Sequence, residues 1–422
     1  MKVLWLCNIV LPEFSQEFSL NRSTVGGWMT GMLHALGKIG GGREGLDIRL
    51  VFPIFDKKRL RDGYCNGYEY YTFLCDITHY NIDTIKKFEV ILEKIRPDIV
   101  HIWGTECPHT LAMLTACEKL GILNRVVINI QGLVSVYAKH YVTGMPEKYI
   151  NLKNEKGESV RDGQEMFEKR GIYEIESIKK VQHVIGRTDW DRACVEAINP
   201  SVCYHFCNEI LRPAFYEFAG SWNYEKCEKY TIFVSQASYP IKGFHFLLKG
   251  LSVILQKYPD TKVYVAGSDI LYKEEKTAYA IYLEELIEEL GEAVKNAVVF
   301  TGRLDEKEMV ERYRKAHIFV SASTVENESN SLSEARLIGV PTISSFVGGA
   351  YQRITTGEDG FLYPHDRIDL LVHYVCQLFE NKHDICKKIS DNAVRKISSF
   401  VEVNENANRN LMIYKEIIKS DR

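Results

Sequence analysis

The sequence predicts an α/β protein with two domains, each built on a parallel β-sheet that helices cover. The chain has 422 residues, far above the roughly 150 residues of a single domain. Short apolar runs alternate with segments of helical periodicity, as in proteins with parallel sheets. This alternation is interrupted near residue 212 and then starts again, which indicates a second domain of the same kind.

The first domain is predicted to span residues 1–212. Between two of its strands, Thr84–Ile95 carries apolar side chains on one face and lysines and glutamates on the other, which is typical of a crossover helix. Two segments without a regular pattern, Asp56–Tyr80 and Val142–Ser177, are expected to be loops. The predicted strands are Lys2–Cys7, Ile48–Phe52, Asp98–Trp103, Arg125–Ile130 and His183–Gly186.

The second domain is predicted to span residues 213–400, because Arg212-Pro213 and Gly220-Ser221 interrupt the pattern before it restarts. Residues 401–422 are expected to form a terminal helix, over about Glu402–Ile418, that packs back on the first domain. The predicted strands and helices of the second domain are Tyr230–Ser235, Phe244–Gln256, Lys262–Gly267, Ala278–Leu290, Ala297–Gly302, His317–Ser321 and Pro341–Ser345.

Composition excludes several classes of protein. The formal net charge of −3 argues against a nucleic-acid-binding protein. The 11 cysteines form no CxxC pair, which favours a reducing, cytoplasmic environment. The apolar run at Lys2–Cys7 is expected to be a buried first strand rather than a signal peptide, and no apolar run approaches the ~20 residues of a membrane span. At most, the protein is expected to attach peripherally to the inner face of the membrane.

Two glutamates flank a predicted turn from strand to helix. The strand His317–Ser321 leads to Glu326, and Glu334 follows in the first turn of the next helix. The helix begins near Asn330, Ser331 and Leu332, so its backbone N–H groups and its dipole favour a phosphate. Glu334 is suited to ribose hydroxyls and Glu326 to a hexose. The alternative is that Glu334 simply stabilises the helix dipole and Glu326 is an exposed loop carboxylate.

The two glutamates belong to a longer set of landmarks that occurs in a known family. The set resembles glycosyltransferase family four, in particular the enzymes of bacterial surface polysaccharides. The resemblance implies the GT-B fold, in which two Rossmann-like domains with parallel sheets face a cleft. Its landmarks are Gly26-Gly27, Lys242-Gly243, Gly267, Gly302, Glu326, Glu334-Ala335, Gly339-Val340-Pro341 and Gly348-Gly349.

The resemblance implies roles for these residues in binding a nucleotide diphosphate sugar. Glu326 would contact the transferred sugar, Glu334 the ribose and Lys242 the diphosphate. The backbone of Gly26 and Gly27 would approach the transferred sugar or the phosphate. The first domain would bind the acceptor, and the second would bind the donor.

Two positions depart from the family pattern. Gln236 stands where the family usually has an arginine, and Gln131 stands where it often has a catalytic histidine. Another cation would then neutralise the phosphates, and the candidates are Arg303 and Arg187, each of which follows a predicted strand end. Either arginine is equally well explained as a partner in a structural ion pair.

The remaining candidates concern the acceptor. Arg187, Glu174 and His109 are polar residues of the first domain that are expected on the acceptor side, together with the two segments expected to be loops. A lone histidine such as His109 is more often a core or surface residue. No pattern of metal ligands accompanies these residues, so neither a metal nor a cofactor is expected besides the nucleotide sugar as co-substrate.

The sequence therefore predicts a retaining glycosyltransferase. It would move a sugar from a UDP- or GDP-linked donor to a glycan or lipid-linked acceptor, in surface polysaccharide synthesis. Two alternatives remain open: a GT-B nucleotide-sugar epimerase, and a catalytically silent protein that binds a nucleotide sugar. The base, the sugar, the acceptor and the oligomeric state are not encoded in short motifs.

Overall fold

The computed structural model describes residues 1–20, 26–40, 45–267, 269–271 and 275–420. The chain divides into two compact units. The first comprises Met1–Ala138, Met166–Arg212 and Val401–Arg422, and the second comprises Lys139–Glu165 and Pro213–Phe400. Lys139–Glu165 falls within the predicted first domain but belongs to the second unit.

Each unit contains one sheet. In the first unit the strand order is β3-β4-β2-β1-β5-β6-β7-β8, and all neighbours are parallel except β3 and β4. In the second unit the order is β11-β10-β9-β12-β13-β14, with parallel neighbours throughout. The strands are β1 (Lys2–Leu6), β2 (Asp47–Ile54), β3 (Gly63–Cys65), β4 (Tyr68–Leu74), β5 (Ile99–Trp103), β6 (Val126–Asn129), β7 (His183–Gly186), β8 (Cys203–Phe206), β9 (Glu228–Val234), β10 (Lys262–Val265), β11 (Val298–Phe300), β12 (Ala316–Ser321), β13 (Thr342–Ser345) and β14 (Phe361–Tyr363).

Helices connect most of the parallel strands, as the crossover geometry requires. None of those in the described part of the chain is long and apolar enough to pass through a lipid bilayer. The α-helices are α1 (Gly27–Gly40), α2 (Ile82–Ile95), α3 (Pro108–Lys119), α4 (Val134–His140), α5 (Glu147–Ile150), α6 (Val160–Lys180), α7 (Asp189–Ile198), α8 (Pro213–Glu217), α9 (Phe244–Lys257), α10 (Ala278–Leu290), α11 (Glu292–Ala297), α12 (Glu306–Lys315), α13 (Asn330–Ile338), α14 (Ala350–Arg353), α15 (Ile368–Glu380), α16 (Ile385–Phe400) and α17 (Val403–Ser420).

The predicted crossover helix is α2. Its N-cap is Asn81, whose side chain accepts a hydrogen bond from the Asp83 N–H. Its C-cap is Arg96, which has the left-handed conformation. Its apolar face, which includes Phe88 and Leu92, is buried in the core of the first unit. The helix therefore has the amphipathic orientation that the sequence predicts.

The terminal helix α17 packs on the first unit, as predicted. Its Tyr414 is fully buried, accepts a hydrogen bond from the indole N–H of Trp5 at 3.1 Å, and lies 2.6 Å from Nδ1 of His101. Trp5 is on β1 and His101 on β5, so the last helix of the chain is tied to the centre of the first sheet.

The expectation of a loop at Asp56–Tyr80 was wrong. This segment forms β3 and β4, an antiparallel hairpin at the edge of the first sheet. The turn between the strands is Asn66-Gly67, and both residues have positive φ. An Asn-Gly pair between two short runs is a strong hairpin signal, and its presence explains the fold of this segment.

The expectation of a loop at Val142–Ser177 was also wrong, because half of this segment lies in the long helix α6 and the short helix α5 precedes it. Its glycines disfavour a helix in isolation but allow close packing here. A Cβ at Gly171 would lie 2.8 Å from the Cα of Ser135, and one at Gly163 would lie 2.7 Å from the hydroxyl oxygen of Tyr141. Tertiary packing has therefore overridden helix propensity.

Candidate functional site

In both sheets the order of successive strands reverses near the centre. In the second sheet β9 is followed by β10 and β11 on one side, while β12 and the later strands continue on the other. Ligands of open parallel sheets bind beyond the carboxyl ends of the strands at such a switch point. The loops that follow β9 and β12 are therefore the expected place for a ligand of the second unit.

These two loops bring Lys242 and Glu326 together. Lys242 ends a short 3-10 turn after β9, and Glu326 follows β12. The Nζ of Lys242 lies 2.8 Å from Oε2 of Glu326, and both side chains are mostly buried. Burial disfavours the ammonium charge, but Glu326 and Tyr239 outweigh it and raise the pKa of Lys242 above its ordinary value. The lysine is thus a fixed cation at physiological pH.

Gly243 allows the two loops to touch. It has φ of 65°, and a Cβ at this position would overlap the carbonyl oxygen of Ala322. Next to it, the Thr324 N–H donates to the carbonyl oxygen of Ile241 at 2.8 Å. A glycine after Lys242 is required here both by the left-handed backbone and by the close approach.

A second glycine pair holds the other side of the Glu326 loop. Gly348 has φ of 52°, and a Cβ there would overlap the carbonyl oxygen of Glu326. The Gly349 N–H donates to the carbonyl oxygen of Asn327 at 2.8 Å. Backbone contacts therefore fix the position of Glu326 from two directions.

Helix α13 begins directly after this loop. The Ser329 hydroxyl caps it by accepting a hydrogen bond from the Leu332 N–H. Asn330, Ser331 and Leu332 form its first turn, where the helix dipole favours an anion. Glu334 lies beyond the first turn of this helix, not within it as predicted, because the helix begins at Asn330. Its side chain is only 6% exposed. A pocket at this end of the helix is lined by residues that include Ser321, Glu326, Ser329, Leu332 and Ser344.

A buried ion pair supports the same loop and was missed by sequence reasoning. Arg353 donates from Nε to Oε1 of Glu328 at 2.6 Å and from Nη2 to Oε2 at 2.8 Å. Both side chains are almost fully buried, and the guanidinium carbon lies 4.2 Å from the centre of the Phe400 ring. Arg353 is 25 residues from Glu328 in sequence, so spacing gives no signal for the pair.

Gln236, which stands at the position of the family arginine, and Arg303, one of the two cations expected to compensate for it, are both exposed. Gln236 follows β9 and donates from its amide to the Ser238 hydroxyl at 3.2 Å. Arg303 follows Gly302, whose carbonyl oxygen accepts from the Gly267 N–H at 2.9 Å. Within the described ranges Arg303 forms no ion pair, so its guanidinium is open to a ligand.

Gln131 and Arg187 lie together in the first unit, beyond the ends of β6 and β7. The side-chain amide of Gln131 donates to Oδ1 of Asn129 at 2.6 Å, and the backbone carbonyl oxygen of Gln131 accepts from Nη2 of Arg187 at 3.2 Å. Arg187 also forms a buried ion pair with Glu209 at 2.7 Å. Arg187 was predicted either to neutralise the phosphates or to form a structural ion pair, and the structure shows the ion pair.

Glu174 is fully buried and holds the loop before α4. It accepts from the Thr105 hydroxyl at 2.7 Å, from the backbone N–H groups of Val134 and Ser135 at 3.1 and 2.9 Å, and from the Ser135 hydroxyl. Burial raises the pKa of Glu174, although these donors oppose the shift. Its contacts fit a positioning function for this loop more than an open surface for an acceptor.

His109 is placed in the core rather than on an acceptor surface. It is 4% exposed and packs edge-on against Phe73, with ring centroids 5.1 Å apart. Burial lowers the pKa of His109 to about 3, so the ring is neutral at physiological pH. The general expectation for a lone histidine therefore holds here.

Sequence reasoning also missed Glu106, which follows β5 beside the switch point of the first sheet. Burial raises the pKa of Glu106 to about 7, and its Oε2 is buried without a hydrogen-bond partner among the described residues. Its position directly after a predicted strand was the signal that the sequence offered.

Gly26 and Gly27 lie after the first strand of the same sheet. Gly27 is the first residue of α1 and packs against the side chain of Arg212.

Two parallel-sheet units, with a charged pair and a helix N-terminus at one switch point, define a GT-B-type protein. Comparison with solved structures agrees on the fold. Sucrose-phosphate synthase from Thermosynechococcus elongatus superposes with a TM-score of 0.73 at 12% identity, covering 100% of both chains. Anabaena HepE in complex with UDP gives 0.65 at 14% identity, covering 99% of this chain and 100% of the other.

Residues 217–396, which lie in the second unit, match the family described as "Glycosyl transferases group 1". Mannosylfructose-phosphate synthase from Agrobacterium fabrum is 29% identical over 130 residues, which are 31% of this chain and 28% of that protein. Spore coat protein SA from Bacillus subtilis is 28% identical over 165 residues, 39% of each chain. The chain thus spans well under half the length of these relatives.

Proposed function

We propose that this protein is a retaining hexosyltransferase that uses a nucleotide diphosphate sugar as donor. The observation that carries the proposal is the Lys242–Glu326 pair, 2.8 Å apart, next to the N-terminus of α13. An ammonium, a helix N-terminus and two carboxylates match the chemistry of a diphosphate joined to two sugars. The match of residues 217–396 to a glycosyltransferase family supports it.

In this proposal the second unit binds the donor. Lys242 and the N–H groups of Asn330, Ser331 and Leu332 bind the diphosphate. Glu334 accepts hydrogen bonds from the ribose hydroxyls, and Glu326 binds hydroxyls of the transferred sugar. Arg303, which is exposed after β11, supplies the charge that Gln236 lacks.

The proposed reaction is displacement on one face of the sugar. The bond between the anomeric carbon and the diphosphate oxygen breaks, and a bond to the acceptor oxygen forms on the same face. The proton of the acceptor hydroxyl passes to the leaving diphosphate. Lys242 stabilises the negative charge that accumulates on this leaving group, which is how fixed charges accelerate such steps. Gln131 is assigned a hydrogen-bonding function toward the transferred sugar, with the backbone of Gly26 and Gly27.

The first unit binds the acceptor in this proposal, and a glycan or lipid-linked sugar at the inner membrane face is the proposed class. Among the polar residues of the first unit, Glu106 is the group best suited to contact an acceptor hydroxyl. Glu174 and Arg187 would not contact the acceptor. They would act indirectly, by fixing the loops with which they form hydrogen bonds. The proposed cellular function is synthesis of a surface polysaccharide.

The test is a panel of UDP-, GDP-, ADP- and CMP-sugars, of which UDP-glucose is the first probe because a structural neighbour is described in complex with it. Selective stabilisation against thermal unfolding identifies the donor. Product analysis by NMR with simple glycosides as acceptors then reports the anomeric configuration. An altered nucleotide sugar without acceptor would indicate an epimerase, and binding without turnover would indicate a silent protein. Failure of all four to bind would refute the proposal.

Replacing Glu334 with alanine is expected to weaken donor binding by about tenfold or more, because a hydrogen bond to a charged group is worth about 1.5–3 kcal/mol. Isothermal titration with the nucleoside diphosphate measures the effect. Glu334→Gln keeps an acceptor oxygen and is expected to lose less. The control is Glu311→Ala, at an exposed glutamate of α12. Equal affinity of Glu334→Ala and wild type would remove Glu334 from the ribose site.

A further inference from the structure

Three metal-binding side chains meet on one face of the first sheet, apart from the site described above. Cys203 and His205 lie two residues apart on the edge strand β8, so their side chains point to the same face. His183 on β7 is in parallel register with Cys203. The intervening Tyr204 points to the other face, where its hydroxyl donates to the carbonyl oxygen of Thr188 at 3.1 Å.

The distances fit a single ion. Nδ1 of His183 lies 3.2 Å from Nε2 of His205, and one ligand atom from each of the three side chains lies within 4.8 Å of the others. Ligands about 2.0–2.3 Å from a tetrahedral Zn²⁺ are separated by roughly 3.3–3.7 Å. The Cys203 side chain is exposed, so it has room to rotate toward these separations.

Helix α17 places a carboxylate, that of Glu416, next to His205. Oε2 of Glu416 lies 3.7 Å from Nδ1 of His205, on the opposite side of the ring from His183. A metal-bound histidine usually donates its other ring N–H to a carboxylate or carbonyl, which fixes the ring and strengthens the ligand. The nearby Arg409 donates to the carbonyl oxygen of Phe206 at 3.2 Å, so part of its guanidinium is already engaged.

The site is also accessible to an ion. Cys203 is exposed, so an ion can reach it from solvent. When the ion binds, the thiol loses its proton to solvent.

We propose that His183, Cys203 and His205 form a binding site for a borderline-soft divalent transition metal such as Zn²⁺, with Glu416 as the hydrogen-bond partner of His205 and water as the fourth ligand. The site ties β7 to the edge strand β8 and to α17. It is a structural site of the first unit and does not rest on the proposed transferase function. No metal is expected from the sequence alone, and the proposed site differs from that expectation.

The test is titration of the metal-free protein with Co²⁺, followed by absorbance, and with Zn²⁺ by equilibrium dialysis. One equivalent is expected to bind, with a thiolate-to-cobalt charge-transfer band. Cys203→Ser is expected to abolish that band, and His183→Asn to lower affinity at least tenfold. Glu416→Gln is expected to lower it by about tenfold, as loss of such partners does.

Cys65→Ser removes another partly exposed thiol and is the matched control, which should bind Co²⁺ like wild type. Circular dichroism of each metal-free variant separates loss of binding from loss of folding. No bound metal, a band that survives Cys203→Ser, or loss of the band in Cys65→Ser would each overturn the proposal. Donor binding by the second unit should be unchanged in Cys203→Ser whether or not the metal site exists.

Discussion

Replacing Lys242 with methionine is expected to lower kcat by about 10²–10³-fold, while the affinity for the donor falls by a smaller factor. Removal of one group that stabilises transition-state charge costs about 2.7–4 kcal/mol in other enzymes. In the proposed reaction the charge on the diphosphate grows as the glycosidic bond breaks. A cation that contacts this group therefore contributes more to the transition state than to the bound donor.

The surroundings of Lys242 make this expectation specific. Its ammonium is held 2.8 Å from Glu326, in a loop whose backbone Gly243 and Gly348 fix. When a diphosphate binds, the lysine exchanges or shares this partner without moving far. Little reorganisation is then needed as the reaction proceeds, and this is the condition under which a fixed charge is most effective.

Steady-state kinetics with the donor identified by the sugar-nucleotide panel measures the effect. Lys242→Arg keeps the charge and is expected to retain more activity than Lys242→Met. Lys249→Met, on helix α9 of the same unit, is the control for loss of a lysine elsewhere. Thermal unfolding of each variant shows whether Glu326 without its partner destabilises the second unit. A kcat in Lys242→Met within a factor of two or three of wild type would exclude Lys242 from the chemistry.

The arrangement that we propose for donor binding could be predicted from the sequence in large part because its determinants are local. Glu326, Glu334 and the start of α13 lie within a dozen residues, and strand periodicity places them at a strand end. Lys242 was associated with them only through family resemblance, since 84 residues separate it from Glu326. The structure brings the two side chains into contact, while their functions stay predictions until the variants are measured.

The residues of the first unit that we propose for acceptor binding were harder to predict, because their arrangement depends on contacts between residues distant in sequence. Nothing local distinguishes Glu174, which accepts four hydrogen bonds from residues at least 39 positions away, from a glutamate on a helix surface. The long helix α6 contains glycines that lower its propensity, and only packing against Ser135 and Tyr141 explains them. The hairpin at Asn66-Gly67, by contrast, had a local signal.

Replacing Arg353 with methionine is expected to lower the free energy of unfolding of the second unit by about 3–5 kcal/mol, because the buried charge of Glu328 loses the arginine that neutralises it. The side chains of Arg353 and Glu328 are 2% and 7% exposed. The guanidinium also packs on the Phe400 ring, and methionine retains part of that apolar contact. The expected loss therefore arises mainly from the carboxylate that remains. Urea unfolding followed by fluorescence and circular dichroism measures it.

The matched control is Arg367→Met. Arg367 also forms two hydrogen bonds to one carboxylate, at 2.9 and 2.6 Å to Asp369, but that pair is exposed. Exposed ion pairs contribute about 0–1 kcal/mol, so its loss should be small. The double variant Arg353→Met with Glu328→Leu removes both charges and is expected to recover much of the stability lost by Arg353→Met alone.

This comparison separates burial from geometry, because the two arginines have similar hydrogen bonds and different exposure. Glu328 lies between Glu326 and the cap of α13, so loss of Arg353 should also loosen the backbone that positions Glu326. Donor affinity of Arg353→Met measured well below its unfolding transition is therefore expected to fall, while that of Arg367→Met is not. If the two variants lose equal stability, the desolvated carboxylate is not what makes Arg353 important.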